Sequence, residues 1–167
     1  MGKSTLVQAW GKSHFESFVK IDLEQEGREV FKSLNPQKII ETISLLKGQA
    51  ILPGKTLLFI DEIQESSEAI ASLRYFHERM PDLHVIGAGS LLEITLRSET
   101  MSMPVGRVEF LHLLPISFSE FLTALGEENL QNYLLHISPS ESIAEAVHSK
   151  LLDLVKTYSI VGGMPAV

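Results

Sequence analysis

The chain contains no cysteine among its 167 residues. Disulfides and thiolate metal sites are therefore excluded, and the composition fits a reducing, cytoplasmic setting. No apolar run approaches the roughly 18 residues that a membrane span requires. The first residues also lack the continuous apolar core of a signal peptide. Basic runs are missing too. With 14 Lys and Arg against 21 Asp and Glu, the net charge is −7. That balance argues against tight, non-specific nucleic-acid binding, because neutralising phosphates takes clustered cations. The six histidines show no ligand spacing, and they read as ordinary surface or core residues. Internal repeats and low-complexity tracts are likewise missing.

A hydrophobic share of 44% and a charged share of 21% are those of an ordinary globular protein, long enough for one domain with a core. The most informative stretch is Leu57-Leu58-Phe59-Ile60-Asp61-Glu62. Four apolar residues without polar alternation predict a short strand buried on both faces, as in a parallel sheet covered by helices. Two carboxylates follow where that strand would leave the sheet. In open α/β sheets, ligands bind in the crevice beyond the carboxyl ends of the strands. Asp61 is therefore a candidate to hold Mg²⁺ through water, and Glu62 to orient an attacking water. The plainer alternative is a solvated strand end that starts a turn.

Such a site needs a phosphate cradle, and Gly2-Lys3-Ser4-Thr5 supplies part of one. The full loop reads G-x-x-x-x-G-K-[ST], in which Lys reaches the β/γ-phosphates and the hydroxyl ligates Mg²⁺. Only its last positions are present, so the alternative is a flexible terminus that happens to spell a common tripeptide.

Around these stretches the chain alternates strand and helix signals. Leu6, Val7 and Trp10 sit at helical spacing, which predicts a helix from Ser4 to about His14, with Gly11 loosening its last turn. Residues 15–22 read as a strand, and 23–35 as irregular or weakly helical. Asn35-Pro36 predicts a helix start, with Gly48 just past its end. Ile70, Leu73, Phe76 and Met80 mark an amphipathic helix over 66–80, stopped by Pro81. Leu83–Gly87 reads as another strand, with Ala88-Gly89-Ser90 as its exit. Leu91–Leu96 reads as a helix, 97–104 as a loop, and 108–114 as a further strand. Ser117 and Glu120 form a capping box for a helix to Leu125. Two more helices are predicted over 127–136 and 140–158, the second with an apolar face at Ile143, Val147, Leu151, Leu154 and Val155 that suits a core or a partner groove. The order argues for an α/β fold with a mostly parallel sheet and a C-terminal helical tail.

With these pieces placed, the chain resembles the P-loop ATPases of the AAA+ class. More narrowly, it resembles a prokaryotic group whose ATPase domain precedes a C-terminal domain of unknown function. The stretches that carry the resemblance are Gly-Lys-Ser-Thr-Leu at 2–6, Leu-Leu-Phe-Ile-Asp-Glu-Ile-Gln at 57–64, and Gly-Ala-Gly-Ser-Leu-Leu at 87–92. Gly-Arg-Val-Glu-Phe-Leu at 106–111 and Leu-Pro-Ile-Ser-Phe-Ser-Glu-Phe at 114–121 follow in order, and Gly-Gly-Met-Pro-Ala-Val at 162–167 resembles the opening of that C-terminal domain. The resemblance implies ATP and Mg²⁺ as ligands. Gly2, Lys3, Ser4 and Thr5 would be the end of the Walker A loop, with Ser4 a metal ligand beside Asp61. Asp61 and Glu62 would be the Walker B acids. Ser90 would sense the γ-phosphate, although a helix N-cap is the alternative. Arg107 sits where related ATPases often carry a trans-acting arginine, although a surface salt bridge is the alternative. A trans-acting Arg107 would require a neighbouring subunit, so a homo-oligomer is one implied assembly; the sequence names no protein partner.

In that family's three-layer fold, the strand before the phosphate loop stands between the last strand and the sensor strand. The resemblance therefore implies a chain that starts late, within the Walker A loop, with the central first strand missing. Residues 1–125 would be an incomplete ATPase core, and 126–167 a helical tail leading towards a further domain. The leading expectation is an ATP-binding domain whose intact form hydrolyses ATP with Mg²⁺. The alternative is a non-catalytic remnant or protein-interaction module. A role in a nucleic-acid machine has no support from the acidic balance.

Overall fold

The computed structural model describes residues 2–89, 106–138 and 140–164. The chain divides into two compact units, Lys3–Leu111 and His112–Val167 with Met1–Gly2. In the Lys3–Leu111 unit the order is α1 (Lys3–His14), β1 (Ser17–Asp22), a 3₁₀ turn (Arg28–Lys32), α2 (Pro36–Lys47), β2 (Thr56–Asp61), α3 (Ser67–Arg79) and β3 (His84–Gly87). The three strands form one parallel sheet in the order β1-β2-β3. Ser17 pairs with Thr56 and Asp22 with Asp61 along one side of β2. Leu57 pairs with His84 and Ile60 with Gly87 along the other. The central strand is buried at all six positions, as its unbroken apolar run requires.

Parallel register places opposed residues on one face, so the pairing sorts the side chains into two layers. Val19, Ile21, Leu58 and Ile60 face one way. They join Leu23, Phe31, Ile39, Ile43, Ile70 and Phe76 in the main core, under α2 and α3. Phe18, Lys20 and Asp22 of β1 face the other way, beside Leu57, Phe59 and Asp61 of β2. The Phe18 and Phe59 rings stack at 6.1 Å on that side. Helix α1 covers this second face. A β-carbon on Gly11 would lie 2.5 Å from Cδ2 of Phe18 and 2.9 Å from Cδ2 of Leu57. The fold is thus α/β with three layers: α1, the parallel sheet, then α2 and α3.

Local chemistry sets the helix ends. The Asn35 side chain accepts a hydrogen bond from Gln37 N at 3.1 Å, with Pro36 at the first helical position. Gly48 closes α2 in the left-handed conformation at φ 61°, which costs a glycine little. Ser66 caps α3 by accepting from Ala69 N at 3.1 Å. Helix α1 ends in a ladder of rings: Trp10 stacks on His14, Phe15 meets Trp10 edge-on, and Phe15 also meets His84 at 5.0 Å. That last contact ties the end of α1 to the start of β3.

The second unit contains α4 (Phe118–Ala124), α5 (Glu128–His136) and α6 (Glu145–Val161). Tyr158 packs against Phe118 and Phe121, and its hydroxyl donates to Ile116 O at 2.6 Å. The capping box of α4 is complete. Glu120 Oε2 accepts from Ser117 N at 2.7 Å, and Ser117 Oγ accepts from Glu120 N at 3.3 Å. The Ser117 backbone N–H, then its hydroxyl, hold the Glu120 carboxyl below the usual glutamate value. Because the folded value is the lower one, its stabilisation is present above the unfolded value and lost as pH falls through the folded one. Acid titration followed by helical circular dichroism is expected to show early fraying of α4 in the native chain and a flattened acid limb in Glu120→Gln.

The structure adds to one expectation and corrects three. Gly11 stands in the last turn of α1 and is also the helix's buried contact with the sheet, while Leu6 and Trp10 are exposed. Residues 108–114 form no strand. Their apolar members Phe110, Leu111, Leu113 and Leu114 are exposed, and among the described residues β3 is paired only with β2. An extended segment without a ladder partner gains nothing from strand geometry. The last helix begins at Glu145 and not near 140. On its expected apolar face Leu151 is buried, whereas Val155 is 42% exposed. The helix and loop expected over 91–104 lie outside the described residues.

Candidate functional site

The carboxyl ends of the three strands are tied to one another by backbone. Leu23 N donates to Asp61 O at 3.0 Å, and Ala88 N donates to Ile60 O at 2.9 Å. Ile63 N donates to Ala88 O at 2.9 Å, closing the turn after β2 onto the exit of β3. Asp61 therefore ends the central strand bonded to the β1 side, while Ile60 and Ile63 on either side of it in the chain are bonded to the exit of β3. Its place is set by backbone, not by a loop.

The register turns the Asp61 side chain towards the α1 face, where it is 6% exposed. Its Oδ1 accepts from Glu62 N at 3.2 Å. Its Oδ2 lies 2.6 Å from the Lys20 ammonium. Lys20 also stands 3.7 Å from Asp22 Oδ2, and its ammonium lies 5.8 Å from the centre of the Phe59 ring. The hydrogen bond to Asp61 raises the Lys20 pKa, with partial burial opposing it and the charges of Asp61 and Asp22 adding to the rise. Lys20 was not legible as a site residue. The available signal was a single cation between the apolar Val19 and Ile21 of β1, two positions before an acid.

Glu62 adopts φ 49°, the one non-glycine residue with positive φ among those described. Left-handed backbone at a non-glycine residue is costly and is concentrated at functional turns. Gln64 Nε2 donates to Glu62 Oε2 at 2.6 Å, which fixes the direction of the carboxylate. Asp61 and Glu62 thus point differently although they are adjacent. Asp61 faces a cation at the sheet, and Glu62 turns into the following bend.

Lys3 is the first residue of α1. Lys3, Ser4 and Val7 are partly buried and Gly11 is buried, while Thr5 and Leu6 are exposed. Ser4, Val7 and Gly11 fall on one side of the helix by their spacing of three and four. That is the side on which Gly11 meets Phe18 and Leu57. Gly2 groups with the second unit and has φ 84°.

Two candidates remain. Ser90 lies outside the described residues. Arg107 Nε donates to Glu78 Oε1 at 2.8 Å, and Arg74 Nε donates to the same oxygen at 2.9 Å. These two guanidinium groups, Arg74 first, hold the Glu78 carboxyl below its usual value. In this structure Arg107 is engaged in a surface ion-pair network.

Among the described residues there is no cluster of three or more His, Cys, Asp or Glu arranged to hold a metal. Magnesium bound mainly through phosphate needs only one or two protein carboxylates, and Asp61 is such a group. Its buried carboxylate already faces a cation, so the position suits positive charge.

The family model described as AAA domain matches residues 1–122. No curated protein and no solved structure matches the chain.

Proposed function

The chain belongs to the AAA domain family, and from that premise we propose that it binds ATP with Mg²⁺ between the first turn of α1 and Asp61, and hydrolyses it. The observation that carries this reading is the buried Asp61 carboxylate, turned to the α1 face of the sheet with a cation 2.6 Å away. Spacing supports it. Ser4 precedes Gly11 by seven residues, about 10 Å of helix at 1.5 Å per residue. Asp61 follows Leu57 by four residues, about 13 Å of strand at 3.3 Å per residue. A helix lying back along the sheet from the Gly11 contact brings the Ser4 hydroxyl near the level of Asp61.

In this reading Gly2, Lys3, Ser4 and Thr5 hold phosphate at a helix N-terminus, where backbone N–H groups and the helix dipole favour an anion. Ser4 and Asp61 hold the metal, Asp61 by way of water. Bound Mg²⁺ would supply charge neutralisation on the phosphates. Glu62, oriented by Gln64, positions the attacking water. Ser90 reads the terminal phosphate, and Arg107 serves a neighbouring copy after leaving Glu78. The missing cysteine supports a cytoplasmic setting. No helix among the described residues is long and apolar enough to cross a membrane.

Calorimetric titration tests the reading. The native chain is expected to bind MgATP, and Glu62→Gln to retain that binding while losing turnover by about 10²-fold or more, the scale of a positioned general base. No binding heat at millimolar MgATP would sink the proposal. A second reading, a non-catalytic interaction module, is favoured by one observation: Lys20 already neutralises Asp61. Binding by the native chain without detectable turnover would decide for that reading.

A further inference from the structure

Lys20 belongs to none of the motifs that suggested a nucleotide site, yet it makes the closest charged contact to Asp61. The two residues share the α1 face of adjacent strands. Lys20 sits opposite Phe59 in the register, and its ammonium, above the Phe59 ring, lies 2.6 Å from Asp61 Oδ2. The other carboxylate oxygen is engaged by Glu62 N at 3.2 Å. A buried carboxylate without a counter-charge is strongly unfavourable, so Lys20 makes the folded site tolerable without metal. The hydrated divalent cation and the ammonium compete for Asp61 Oδ2, because two positive charges held close together in a weakly screened place repel.

We propose that Lys20 is a resident counter-ion of Asp61 that a divalent cation must displace, and that it moves to Asp22 when it yields. This inference rests on the reading of Asp61 as the metal-binding acid. Asp22 is placed for that role: its Oδ2 is already 3.7 Å from the Lys20 ammonium. The lysine side chain is 34% exposed and Asp22 20%, so a swing of the four-carbon stem needs no rearrangement of the core. The exchange makes metal affinity and Lys20 position mutually dependent, since coupling between two such events is reciprocal. In consequence Lys20 keeps free metal off the site and favours metal that arrives with phosphate, whose charges help to draw the ammonium's competitor in.

The test is Mn²⁺ binding to the full chain without nucleotide, read from loss of the free-ion electron paramagnetic resonance signal. Lys20→Met is expected to bind Mn²⁺ about tenfold or more tightly than the native chain, within the usual range of coupling factors. Lys20→Arg should keep the native affinity, and adding Asp61→Asn to Lys20→Met should abolish the gain. Equal affinity in the native and Lys20→Met chains, or a gain that survives in the double variant, would overturn the proposal. Should Lys20→Met not fold, amine acylation read by mass spectrometry replaces it. Lys20 is expected to label slowly in the native chain, and severalfold faster with Mn²⁺ or in Asp61→Asn; unchanged labelling in both would overturn it. Failure of the native chain to bind MgATP would refute the nucleotide reading and leave these metal results standing, so the two fail separately.

Discussion

Gly11→Val is expected to free α1 from the sheet while leaving the main core folded. Gly11 is the buried residue of α1, and even a β-carbon there would overlap the Phe18 ring and Leu57. A valine adds two further carbons in a place with no room, and such overpacking costs about 1–3 kcal/mol. The other ties are lighter: Val7 is partly buried, Leu6 and Trp10 are exposed, and the Trp10–Phe15–His84 ring contacts hold only the end of the helix. The core on the opposite face, built on Val19, Ile21, Leu58 and Ile60 under α2 and α3, does not depend on it. Amide hydrogen exchange should therefore lose protection over residues 3–14 and keep it over β1 and β2. MgATP binding should disappear with the helix. Gly11→Ala should do less, because a gain of about 1 kcal/mol in helix propensity offsets part of the clash. Native-like protection of α1 in Gly11→Val would show that the close approach does not hold the helix.

Lys3→Met is expected to weaken MgATP binding by about 10- to 100-fold without changing thermal stability. A hydrogen bond to a charged group is worth about 1.5–3 kcal/mol, and each 1.4 kcal/mol is about tenfold in affinity. Methionine retains the length of the side chain and its helix propensity, so the helix persists. The ion pair at Asp61 is made by Lys20 and not by Lys3, so removing Lys3 leaves the folded sheet intact. Calorimetry on the variant reads the first effect, and a melting curve the second. Undiminished affinity would take Lys3 out of the phosphate site.

The sheet and most of the caps were legible because they rest on local chemistry. An unbroken Leu57–Ile60 run predicts a strand buried on both faces, and that strand is central. Asn35-Pro36 and the Ser117–Glu120 pair announce helix starts by side-chain oxygens that bond the first turn, and each does so. What escaped the sequence depends on the arrangement in space. Apolar periodicity registers the side chains that α1 carries, whereas the helix meets the sheet where one is missing, at Gly11. Segment 108–114 has strand composition, but a strand exists only beside a partner. Lys20 looked like an ordinary cation in β1, and only the register of β1 on β2 brings it to Asp61. The ligand side of the site was suggested by motif order, and the acid's countercharge emerged from pairing geometry.

The central claim is that the first turn of α1 and the acid ending β2 face one bound nucleotide from two sides. Paramagnetic relaxation from Mn²⁺ with ATP, read on the backbone amides of the full chain, measures this directly. The account predicts that Mn²⁺·ATP broadens the amides of Lys3–Leu6 and of Asp61–Ile63 together, with those of α2 unaffected. Broadening confined to one of the two stretches, or appearing only elsewhere in the chain, would contradict it.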